Sequence, residues 1–464
     1  MRKRQENLAL RRQEPQVDAL IVGGGICGIA AFRDLALRTV KVLRVDRADF
    51  RGGTSAASSH MVHGGLRYLE NGEYLLVREA VRQRNLRLKS APHLVRPLPI
   101  TNPIFKRFSG LLNAPLKFLG LRAKPRERGA AEIRLGLSLY DRYTRECCPG
   151  LVPPHRFASR QASPERFPHL HPRIICTATY YDASTVLPAR VAVELICDAE
   201  TDWTGTWAIN YLRVEGASGQ QGTLRDELAG DHYPVHPRIV INAAGPWIDT
   251  VNKGLGQPTH FIGGTKSSHL MLDHPQLRRE LADHEFLFEN DDGRIVLIFP
   301  LADKVLIGST DIRFEDPERA VCTAAEEQYF LNLAKKPFPT IQIGPQQIVF
   351  RFSGVRPLPV AQAATTGQIS RDHSNQTLQA GRGLDRPIPC MVGGKWTPFR
   401  AFGETMADFV LASLGRQRQG HLETLPIGGG RDYPPTAAAK QGWLEELHAD
   451  TGLPPVRLAA LVER

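Results

Sequence analysis

The sequence has no run of eighteen or more uncharged apolar residues, so no segment is expected to span a membrane. Its N-terminus, MRKRQENLALRRQEPQ, is basic but lacks the apolar stretch of a secretory signal. Seven cysteines are scattered over the chain without a C-x-x-C pair, and the adjacent Cys147 and Cys148 do not have the spacing of metal ligands. These absences argue against a membrane-spanning, secreted or zinc-binding protein. They favour a reduced, cytosolic chain without a metal.

The composition is that of an ordinary soluble globular protein, with 42% hydrophobic and 23% charged residues. A length of 464 residues is sufficient for two or three domains, each with a sizeable core. No internal repeat or low-complexity tract is present. We interpret residues 1–16 as a disordered basic leader.

The positive charge is unevenly distributed. Between Arg78 and Arg134 there are 14 Lys or Arg residues and three Glu, a local net charge of +11 that equals the net charge of the whole chain. The stretch Phe105–Arg126 interleaves Phe and Leu with basic residues. An anionic membrane surface suits this mixture better than nucleic acid, because no nucleic-acid-binding motif accompanies the charge. A solvated helix face with its apolar side in the core remains the alternative.

The strongest local pattern is Asp18–Asp46, which predicts a strand, a glycine-rich turn, a helix and a second strand. Gly23, Gly25 and Gly28 have the G-x-G-x-x-G spacing of a dinucleotide-binding turn. The first glycine allows the tight turn, the second allows the backbone to approach the pyrophosphate, and the third allows close packing of helix and strand. Asp46 ends the second strand and is placed to bind a ribose hydroxyl. This pattern alone does not distinguish NAD from FAD.

Two further segments are predicted to approach a ligand. Gly52–Ser59 is too small and polar to fill a core, so it is expected to form a loop that presents hydroxyl groups, those of Thr54, Ser55, Ser58 and Ser59. The segment His63–Tyr68 follows, and its two glycines, Gly64 and Gly65, permit close approach to a flat group. Tyr74–Leu88 is predicted to be an amphipathic basic helix, which the proline-rich segment PHLVRPLPITNP ends.

The rest of the chain divides into two patterns. A strand leading into Asn242–Trp247 has the form of a late strand of a dinucleotide-binding sheet, and Pro389–Val392 leads in the same way into Gly393–Thr397 and a helix. From Lys266 onward, short alternating runs such as HLMLD, RIVLIFPL and KVLIGSTD predict antiparallel strands. The sequence therefore predicts a second, antiparallel domain between segments of the first.

The order of these motifs resembles that of FAD-dependent glycerol-3-phosphate dehydrogenases, the aerobic, membrane-associated flavoproteins that pass electrons to quinone. The motifs are VGGGICG, GTSAASSHMVHGGLRYLE, YYDAS, NAAGPWID, KSSHLML, LIGSTD, SGVRPL, ISRDH and VGGKWTPFR, and they cover roughly residues 17–430. The resemblance implies an amino-acid-oxidase-like fold of α/β plus α+β class. A Rossmann-like FAD-binding domain of discontinuous segments would carry an antiparallel-sheet substrate domain.

The resemblance selects FAD, with Asp46 at the position where the family usually has Glu. The FAD is expected to be noncovalent, because the glycines and Asp46 supply the binding and no cysteine or histidine stands in a known attachment motif. The residues that it assigns to the cofactor are Gly23, Gly25, Gly28, Asp46, Thr54, Ser55, Ser58, Ser59, His63, Gly64, Gly65, Leu66, Ala243, Gly245, Gly394, Lys395, Trp396 and Thr397. No metal is implied.

For the substrate, the resemblance places Arg67, Tyr68, Arg371 and Lys395 around the pocket. Its catalytic candidates are His269 and Arg356, and they are rivals. His269 could take up the hydroxyl proton, and Arg356 could stabilise an alkoxide. A histidine that alternates with apolar residues is as readily explained by core packing, and Thr310 and Asp311 are as readily explained by a turn.

The implied reaction oxidises sn-glycerol 3-phosphate to dihydroxyacetone phosphate, with hydride transferred to flavin N5 and electrons passed on to quinone. The partners expected are glycerol 3-phosphate, a quinone, an anionic membrane surface and a second copy of the chain as a homodimer, but no nucleic acid. The location expected is the cytoplasm, peripherally on the inner face of the cytoplasmic membrane. One alternative is oxidation of another 2-hydroxy or 2-amino acid on the same scaffold. Another is an FAD-binding regulatory protein without catalytic activity.

The expected domain organisation follows these motifs along the chain. It comprises a leader (1–16), an FAD-binding domain (17–95, 173–255 and 386–415), a basic helical or loop insertion with a membrane contact (96–172), a substrate domain (256–385) and a shortened C-terminal helical segment (416–464), beyond which the family normally continues into a helical domain.

Overall fold

The computed structural model describes residues 3–107, 129–289, 295–361, 369, 372–380 and 385–463. The strands are β1 (Gln16–Val22), β2 (Val42–Val45), β3 (Met61–Val62), β4 (Val95–Ile104), β5 (Arg156–Ser159), β6 (Cys176–Thr185), β7 (Thr206–Ile209), β8 (Leu212–Ser218), β9 (Gln221–Asp226), β10 (His232–Asn242), β11 (Thr265–Leu272), β12 (Glu285–Glu289), β13 (Ile295–Leu301), β14 (Lys304–Gly308), β15 (Ile312–Arg313), β16 (Ile348–Arg356), β17 (Ser374–Leu378) and β18 (Ile388–Val392). The helices are α1 (Arg4–Gln13), α2 (Ile26–Leu37), α3 (Tyr74–Ser90), α4 (Ala130–Cys147), α5 (Ala162–Arg166), α6 (Pro188–Asp202), α7 (Ile248–Gly254), α8 (Pro275–Leu281), α9 (Ala324–Ala334), α10 (Phe399–Ser413), α11 (Ala437–Thr451) and α12 (Pro455–Glu463).

The first sheet has the strand order β17-β18-β10-β1-β2-β7, and the β8–β9 hairpin extends it from β10. Its neighbours from β18 to β7 run parallel, and β17 is antiparallel to β18. Helices α2, α6 and α10 bury their apolar residues against one face of this sheet. Val22 lies opposite Asn242, which lies opposite Cys390, so the carboxyl ends of β1, β10 and β18 meet at one edge.

The second sheet has the order β15-β11-β14-β13-β12-β4-β6-β3, with β16 paired to β11 and β5 paired to β6. One face packs against α8 and α9. The other face packs against α3 and α4. The predictions of a βαβ unit at the start, antiparallel strands after Lys266 and a helix from Tyr74 are confirmed.

Parts of four predicted segment assignments are wrong. Within 17–95, assigned to the cofactor domain, β3 pairs with β6 in the second sheet. Residues 96–172 were expected to be a helical or loop insertion, yet β4 is a ten-residue strand in the interior of the second sheet. Residues 173–255 were assigned entirely to the cofactor domain, but β6 pairs along its whole length with β4. The prolines misled the prediction, because Pro97, Pro99 and Pro103 alternate and their missing N–H groups lie on one side of the strand. β17 also departs from its assignment to 256–385, since it pairs with β18 in the first sheet.

The N-terminal segment is not disordered, as had been expected for residues 1–16. Helix α1 packs against the first sheet, with Leu8 buried and the guanidinium of Arg11 lying 3.7 Å from the ring centroid of Trp207. Arg4 forms an ion pair with the buried Asp226 at 2.6 Å. Apolar packing, a stacked arginine and an ion pair thus accompany an ordered segment whose composition alone made it appear solvated.

In the part of the chain that the structure describes, every helix is too short or too polar to cross a bilayer. Residues 108–128 lie outside the described residues, as does most of the Phe105–Arg126 stretch.

Candidate active site

The turn after β1 requires glycine for reasons that the structure makes explicit. Gly23 has φ +123°, and a Cβ atom on it would lie 2.4 Å from the carbonyl oxygen of Ala243. A Cβ on Gly28 would lie 2.8 Å from the carbonyl oxygen of Gly23. Helix α2 begins directly after Gly25, so its N-terminal amides open onto the edge where the carboxyl ends of the parallel strands meet.

The serine-rich loop closes over this helix end. Ser55 Oγ accepts a hydrogen bond from the amide of Ile26 at 3.0 Å, so a side-chain oxygen satisfies one of the amides at the N-terminus of α2. Thr54 Oγ donates to the carbonyl oxygen of Val355 in β16 at 2.6 Å. The loop therefore connects the start of α2 to the second sheet.

Asp46 lies at the end of β2, beside the glycine turn. Its carboxylate accepts hydrogen bonds from the amides of Ala48, at 2.7 Å, and of Gly24. Burial raises the pKa of Asp46, although those two amides act in the opposite direction. Asp46 thus holds the turn in place and presents an acceptor at the end of the strand.

The loop His63–Tyr68 is fixed from two sides. The Thr397 hydroxyl accepts from the amide of His63 at 3.1 Å and donates to its carbonyl oxygen at 3.0 Å. The amide of Gly64 donates inward, to Tyr140 Oη at 2.9 Å and to Asp182 Oδ1 at 3.0 Å. A Cβ on Gly64 would lie 2.2 Å from Tyr140 Oη. We had predicted that this glycine admits a flat ligand, whereas its hydrogen position faces the protein's own tyrosine.

A buried polar cluster behind this loop was missed by the sequence analysis. Asp182 Oδ1 also accepts from Arg84 Nη1 at 2.9 Å and from Tyr140 Oη at 2.5 Å, and all three side chains are almost fully buried. Asp182 lies in the YYDAS motif, which carried the family resemblance but received no role. The sequence did offer one sign of this role, because Asp182 is an acidic residue within an otherwise uncharged strand.

The turn Gly393–Thr397 brings the two sheets together. The amide of Gly393 donates to the carbonyl oxygen of Pro357 at 3.0 Å, directly after Arg356 in β16. Lys395 Nζ lies 4.4 Å from the ring centroid of Tyr68. Two predicted substrate residues, Tyr68 and Lys395, are therefore in contact beside the strand that ends in Arg356.

Arg356 is held by oxygen atoms from strand β11 and from the turn between β14 and β15. Its Nη2 donates to Ser267 Oγ at 2.7 Å and to Ser309 Oγ at 3.4 Å. Its Nη1 donates to the carbonyl oxygen of Thr310 at 3.3 Å and to Asp311 Oδ1 at 3.0 Å. The side chain keeps about a quarter of its surface exposed, so it is not closed off from a ligand.

His269 lies in β11 opposite Phe352 and Gly308. Its ring stacks on that of Phe352 with centroids 4.8 Å apart, and a Cβ on Gly308 would lie 2.2 Å from His269 Cδ2. Burial, together with the charges of Arg356 and His60, lowers the pKa of His269 to about 3. Its Nδ1 is buried and has no hydrogen-bond partner among the described residues. The imidazole is therefore uncharged at neutral pH.

A family model described as FAD-dependent oxidoreductase matches residues 18–383. The chain belongs to this family. FAD is therefore the cofactor, and the fold is the amino-acid-oxidase-like flavoprotein fold that the sequence predicted.

The relatives in sequence include dehydrogenases of glycerol 3-phosphate and of D-erythritol 1-phosphate. The chain is 33% identical over 460 residues to a glycerol-3-phosphate dehydrogenase of Synechocystis sp., covering 94% of this chain and 78% of the relative. It is 31% identical over 400 residues to a D-erythritol 1-phosphate dehydrogenase of Brucella abortus, covering 84% and 73%. The predicted resemblance to glycerol-3-phosphate dehydrogenases is confirmed.

A solved glycerol-3-phosphate dehydrogenase from Bacillus halodurans, complexed with FAD, superposes with a TM-score of 0.73 at 22% identity. That comparison covers 99% of this chain and 77% of the other. The FAD-bound L-α-glycerophosphate oxidase of Mycoplasma pneumoniae superposes with a TM-score of 0.61 at 16% identity, covering 88% and 98%. Both likenesses concern the fold.

The residues at the first sheet's edge fit FAD, as the family requires. Gly23 and Gly28 leave no room for a side chain, the N-terminus of α2 faces the same edge, and Asp46 carries the acceptor that a ribose hydroxyl needs. Gly245 has φ +59° with open space where its side chain would be, and Gly394 has φ +90°. Gly245 keeps the surface at the end of β10 free of a side chain, whereas a Cβ on Gly394 would lie 2.7 Å from Cys27 Sγ.

The remaining predicted residues have mixed placements. Ser58 Oγ accepts from the amide of His60 at 3.4 Å, Ser59 is half-buried beside it, and Leu66 packs into the core cluster against α3 and α4. Trp396 Nε1 donates to the carbonyl oxygen of Ser55 at 3.2 Å, and Ala243 is buried at the end of β10. Arg371 and the side chain of Arg67 lie outside the described residues. Their roles stay predictions.

Metal binding receives no support from the described residues, among which no three His, Cys, Asp or Glu side chains are placed to hold an ion.

Proposed function

We propose that this flavoprotein oxidises the C2 hydroxyl of sn-glycerol 3-phosphate to the ketone of dihydroxyacetone phosphate. The observation that carries the proposal is that the segments bearing two cationic residues, Arg356 and Lys395, meet beside the cofactor edge, where the amide of Gly393 donates to the carbonyl oxygen of Pro357. A phosphate dianion requires such cations, and a guanidinium can bind it in a bidentate manner. Glycerol-3-phosphate dehydrogenases among the relatives support the choice of substrate.

The oxidation removes a hydride from C2 and a proton from its hydroxyl group. FAD, when bound, supplies the hydride acceptor at N5. The backbone of the glycine turn, the N-terminus of α2 and Asp46 would hold that cofactor.

Two residues can assist the loss of the proton. His269 is uncharged at neutral pH and can accept it, but the positive charge of Arg356 opposes a second charge nearby. An anionic substrate lessens that opposition. Arg356 favours the alkoxide form of the hydroxyl group by its charge, and its four oxygen partners hold it in position without a change of conformation.

Anaerobic reduction of the purified holoprotein tests the proposal. Glycerol 3-phosphate should bleach the flavin absorbance, whereas lactate, 2-hydroxyglutarate and amino acids should not. Bleaching by an amino acid or a hydroxy acid instead would contradict the proposal and support the alternative, oxidation of another 2-hydroxy or 2-amino acid. No bleaching by any of these compounds would favour the regulatory alternative.

D-erythritol 1-phosphate is a second candidate substrate, because one relative of 31% identity carries that activity. The same phosphate-binding residues would serve both substrates. The ratio of kcat/KM for the two compounds decides between them.

We further propose that the protein docks on an anionic membrane surface and passes its electrons to a quinone. Leu75 on α3 and Leu135 on α4 are 82% and 76% exposed, and Arg78 and Arg142 lie exposed near them on the same pair of helices. Not all of the basic stretch contributes, since Arg84 and Arg87 are buried.

Sedimentation with anionic vesicles tests the docking. Binding should weaken with salt but persist in part, because salt screens charges and not buried leucines. Leu75→Asp with Leu135→Asp should abolish the salt-resistant part, and Leu228→Asp, on a distant exposed hairpin, should not. Protein that stays in the supernatant at low salt would contradict the proposal. Phe108 and Phe118 lie outside the described residues, and their replacement by Asp extends the same test.

Flavin attachment and the acceptor are tested separately. Acid precipitation should release the FAD, since binding is proposed to be noncovalent. Reoxidation of the reduced protein should be faster with a quinone than with oxygen. Dimerisation stays a prediction that sedimentation velocity can test.

A further inference from the structure

A buried carboxylate lies directly behind the strand that carries His269. Glu326 is in the first turn of α9 and is 4% exposed. Its Oε2 accepts from the amide and the hydroxyl group of Thr323, both at 2.9 Å, which completes a capping box at the start of the helix. A cap of this kind requires one of the two carboxylate oxygens.

Glu326 makes further hydrogen bonds that the helix cap does not need. Oε1 accepts from the hydroxyl groups of Ser268 and Thr310, both at 2.8 Å, and Oε2 also accepts from Lys266 Nζ at 2.7 Å. Burial by itself would raise the pKa of Glu326, but the hydrogen bonds from these partners outweigh it and lower the pKa to about 2. The group is therefore a permanent negative charge with a complete set of donors.

The two partners of Oε1 connect to the candidate catalytic residues. Thr310 offers its carbonyl oxygen to Arg356, and Asp311 beside it forms the ion pair with the same guanidinium. Ser268 stands between Ser267, which accepts from Arg356 Nη2, and His269. The amide of Ser268 also donates to Thr310 Oγ at 3.0 Å, so the strand and the turn are joined at the hydroxyl group of Thr310.

We propose that Glu326 is a positioning residue that holds the Ser309–Asp311 turn and β11 in register through Oε1, and so fixes Arg356 for the reaction. The inference rests on the proposed function, since it assigns a role in that site. Glu326 itself is buried and acts through its hydrogen-bond partners, not by contact with the substrate or the cofactor.

The two carboxylate oxygens allow the positioning role to be separated from the helix cap. Thr310→Val keeps the shape of the side chain and leaves the capping box untouched, but it removes both the donor to Oε1 and the acceptor of the Ser268 amide. Glu326→Gln is therefore measured beside it, because it changes the carboxylate and keeps the Thr310 hydroxyl group. Thr310→Ser restores the hydroxyl group. Glu327→Gln is the matched control on the helix, because the neighbouring Glu327 faces outward and pairs with the exposed Arg351.

Steady-state kinetics with glycerol 3-phosphate, on holoprotein of equal flavin content, provides the test. Thr310→Val should lower kcat/KM at least about tenfold, because it removes both hydrogen bonds of the Thr310 hydroxyl group. Thr310→Ser should recover most of that loss, and Glu327→Gln should match wild type. A loss that Thr310→Ser fails to recover would overturn the proposal, as would wild-type kinetics of Thr310→Val.

Two further measurements keep the test decisive. Whether or not Thr310→Val folds, Glu326→Gln is compared with Glu327→Gln, and equal kcat/KM for the two overturns the inference. Inhibition by inorganic phosphate gives a binding readout, and Thr310→Val should weaken it more than Thr310→Ser does. If wild-type protein is not reduced by glycerol 3-phosphate, the proposed function fails. The inference fails instead if wild type is reduced and the variants do not differ.

Discussion

The two sheets contribute to the site by different means. The first sheet offers mainly backbone groups, namely the turn at Gly23, the N-terminus of α2 and the strand end before Gly245. The second sheet offers side chains, with Arg356 and His269 projecting from antiparallel strands. A backbone site depends on local conformation, whereas a side-chain site depends on the register between strands that are distant in sequence.

This difference has a consequence for mutation. A glycine whose hydrogen position meets the backbone cannot be replaced without moving the strand next to it. A side chain on the second sheet can be exchanged without disturbing the ladder. Variants of the first sheet should therefore lose the cofactor, and variants of the second sheet should keep the cofactor and lose turnover.

The largest effect is expected for Gly23→Val. Its side chain would approach the carbonyl oxygen of Ala243 to 2.4 Å at a φ that disfavours valine, so FAD affinity should fall at least about 100-fold. Absorbance of the purified protein in the visible range measures the loss. Gly254→Ala, at the end of α7 with open space around it, is the control and should stay yellow. A yellow Gly23→Val protein would break the comparison.

Next comes Arg356→Ala, which should keep a full complement of FAD. A hydrogen bond to a charged group contributes about 1.5–3 kcal/mol, so kcat/KM for glycerol 3-phosphate should fall roughly 10- to 100-fold. Arg351→Ala is the control from the same strand, because its side chain is exposed and pairs with Glu327. Loss of flavin from Arg356→Ala would show that the second sheet also holds the cofactor.

The second sheet should also make stability depend on pH. Burial lowers the pKa of His269 to about 3, and burial, with Arg166 and Arg156 nearby, lowers the pKa of His284 to about 4. Below pH 6.5 the unfolded chain binds protons at these histidines and the folded chain does not. The free energy of unfolding should thus decrease from about pH 6.5 to pH 4, by up to ~1.4 kcal/mol per pH unit for each histidine.

Urea unfolding at pH 7 and pH 5 measures this slope. His284→Asn should reduce the difference between the two values, and His421→Asn, at an exposed position, should leave it unchanged. An unchanged slope in His284→Asn would contradict the assignment.

The smallest effect is expected at Glu285, the first residue of β12. It is fully buried, neither carboxylate oxygen has a partner among the described residues, and burial raises its pKa well above the ordinary value. The folded protein keeps the proton that the unfolded chain loses above about pH 4.5, so the carboxyl group costs stability at neutral pH. Glu285→Met should raise the free energy of unfolding by about 1 kcal/mol. The exposed Glu446→Met is the control, and a destabilised Glu285→Met protein would point to a partner or function for the acid.

The sequence predicted the first sheet's contribution well, because glycine spacing reports directly on backbone conformation. Gly23, Gly28 and Asp46 lie where the pattern placed them. Gly64 shows the limit of such a prediction. The requirement for glycine was correct, but the neighbour that imposes it, Tyr140, lies 76 residues away and could not be identified from local sequence.

For the second sheet the sequence predicted the strands but not what surrounds their side chains. The pairing of His269 with Phe352 and Gly308 is a matter of register, and register is set by the whole sheet. Glu326 and Asp182 escaped notice for the same reason, since each acts through partners on other elements. The failure at β4 had a different cause, namely that three prolines suggested a loop where they in fact occupy one side of a strand.

The order in which the strands enter the two sheets bears on how the protein is made. In the described part of the chain, β1 and β2 belong to the first sheet, β3–β6 to the second, β7–β10 to the first, β11–β16 to the second, and β17 and β18 to the first again. A ribosome therefore releases β1 and β2 long before their outer neighbours exist, and the first sheet is incomplete until residue 392 has emerged. The early strands keep unpaired edges until their partners are synthesised. Because each sheet is built from separate stretches of the chain, we expect that neither sheet can be cut out as an independently folding fragment. A flavin bound where the sheets meet would then bind only to the nearly finished polypeptide.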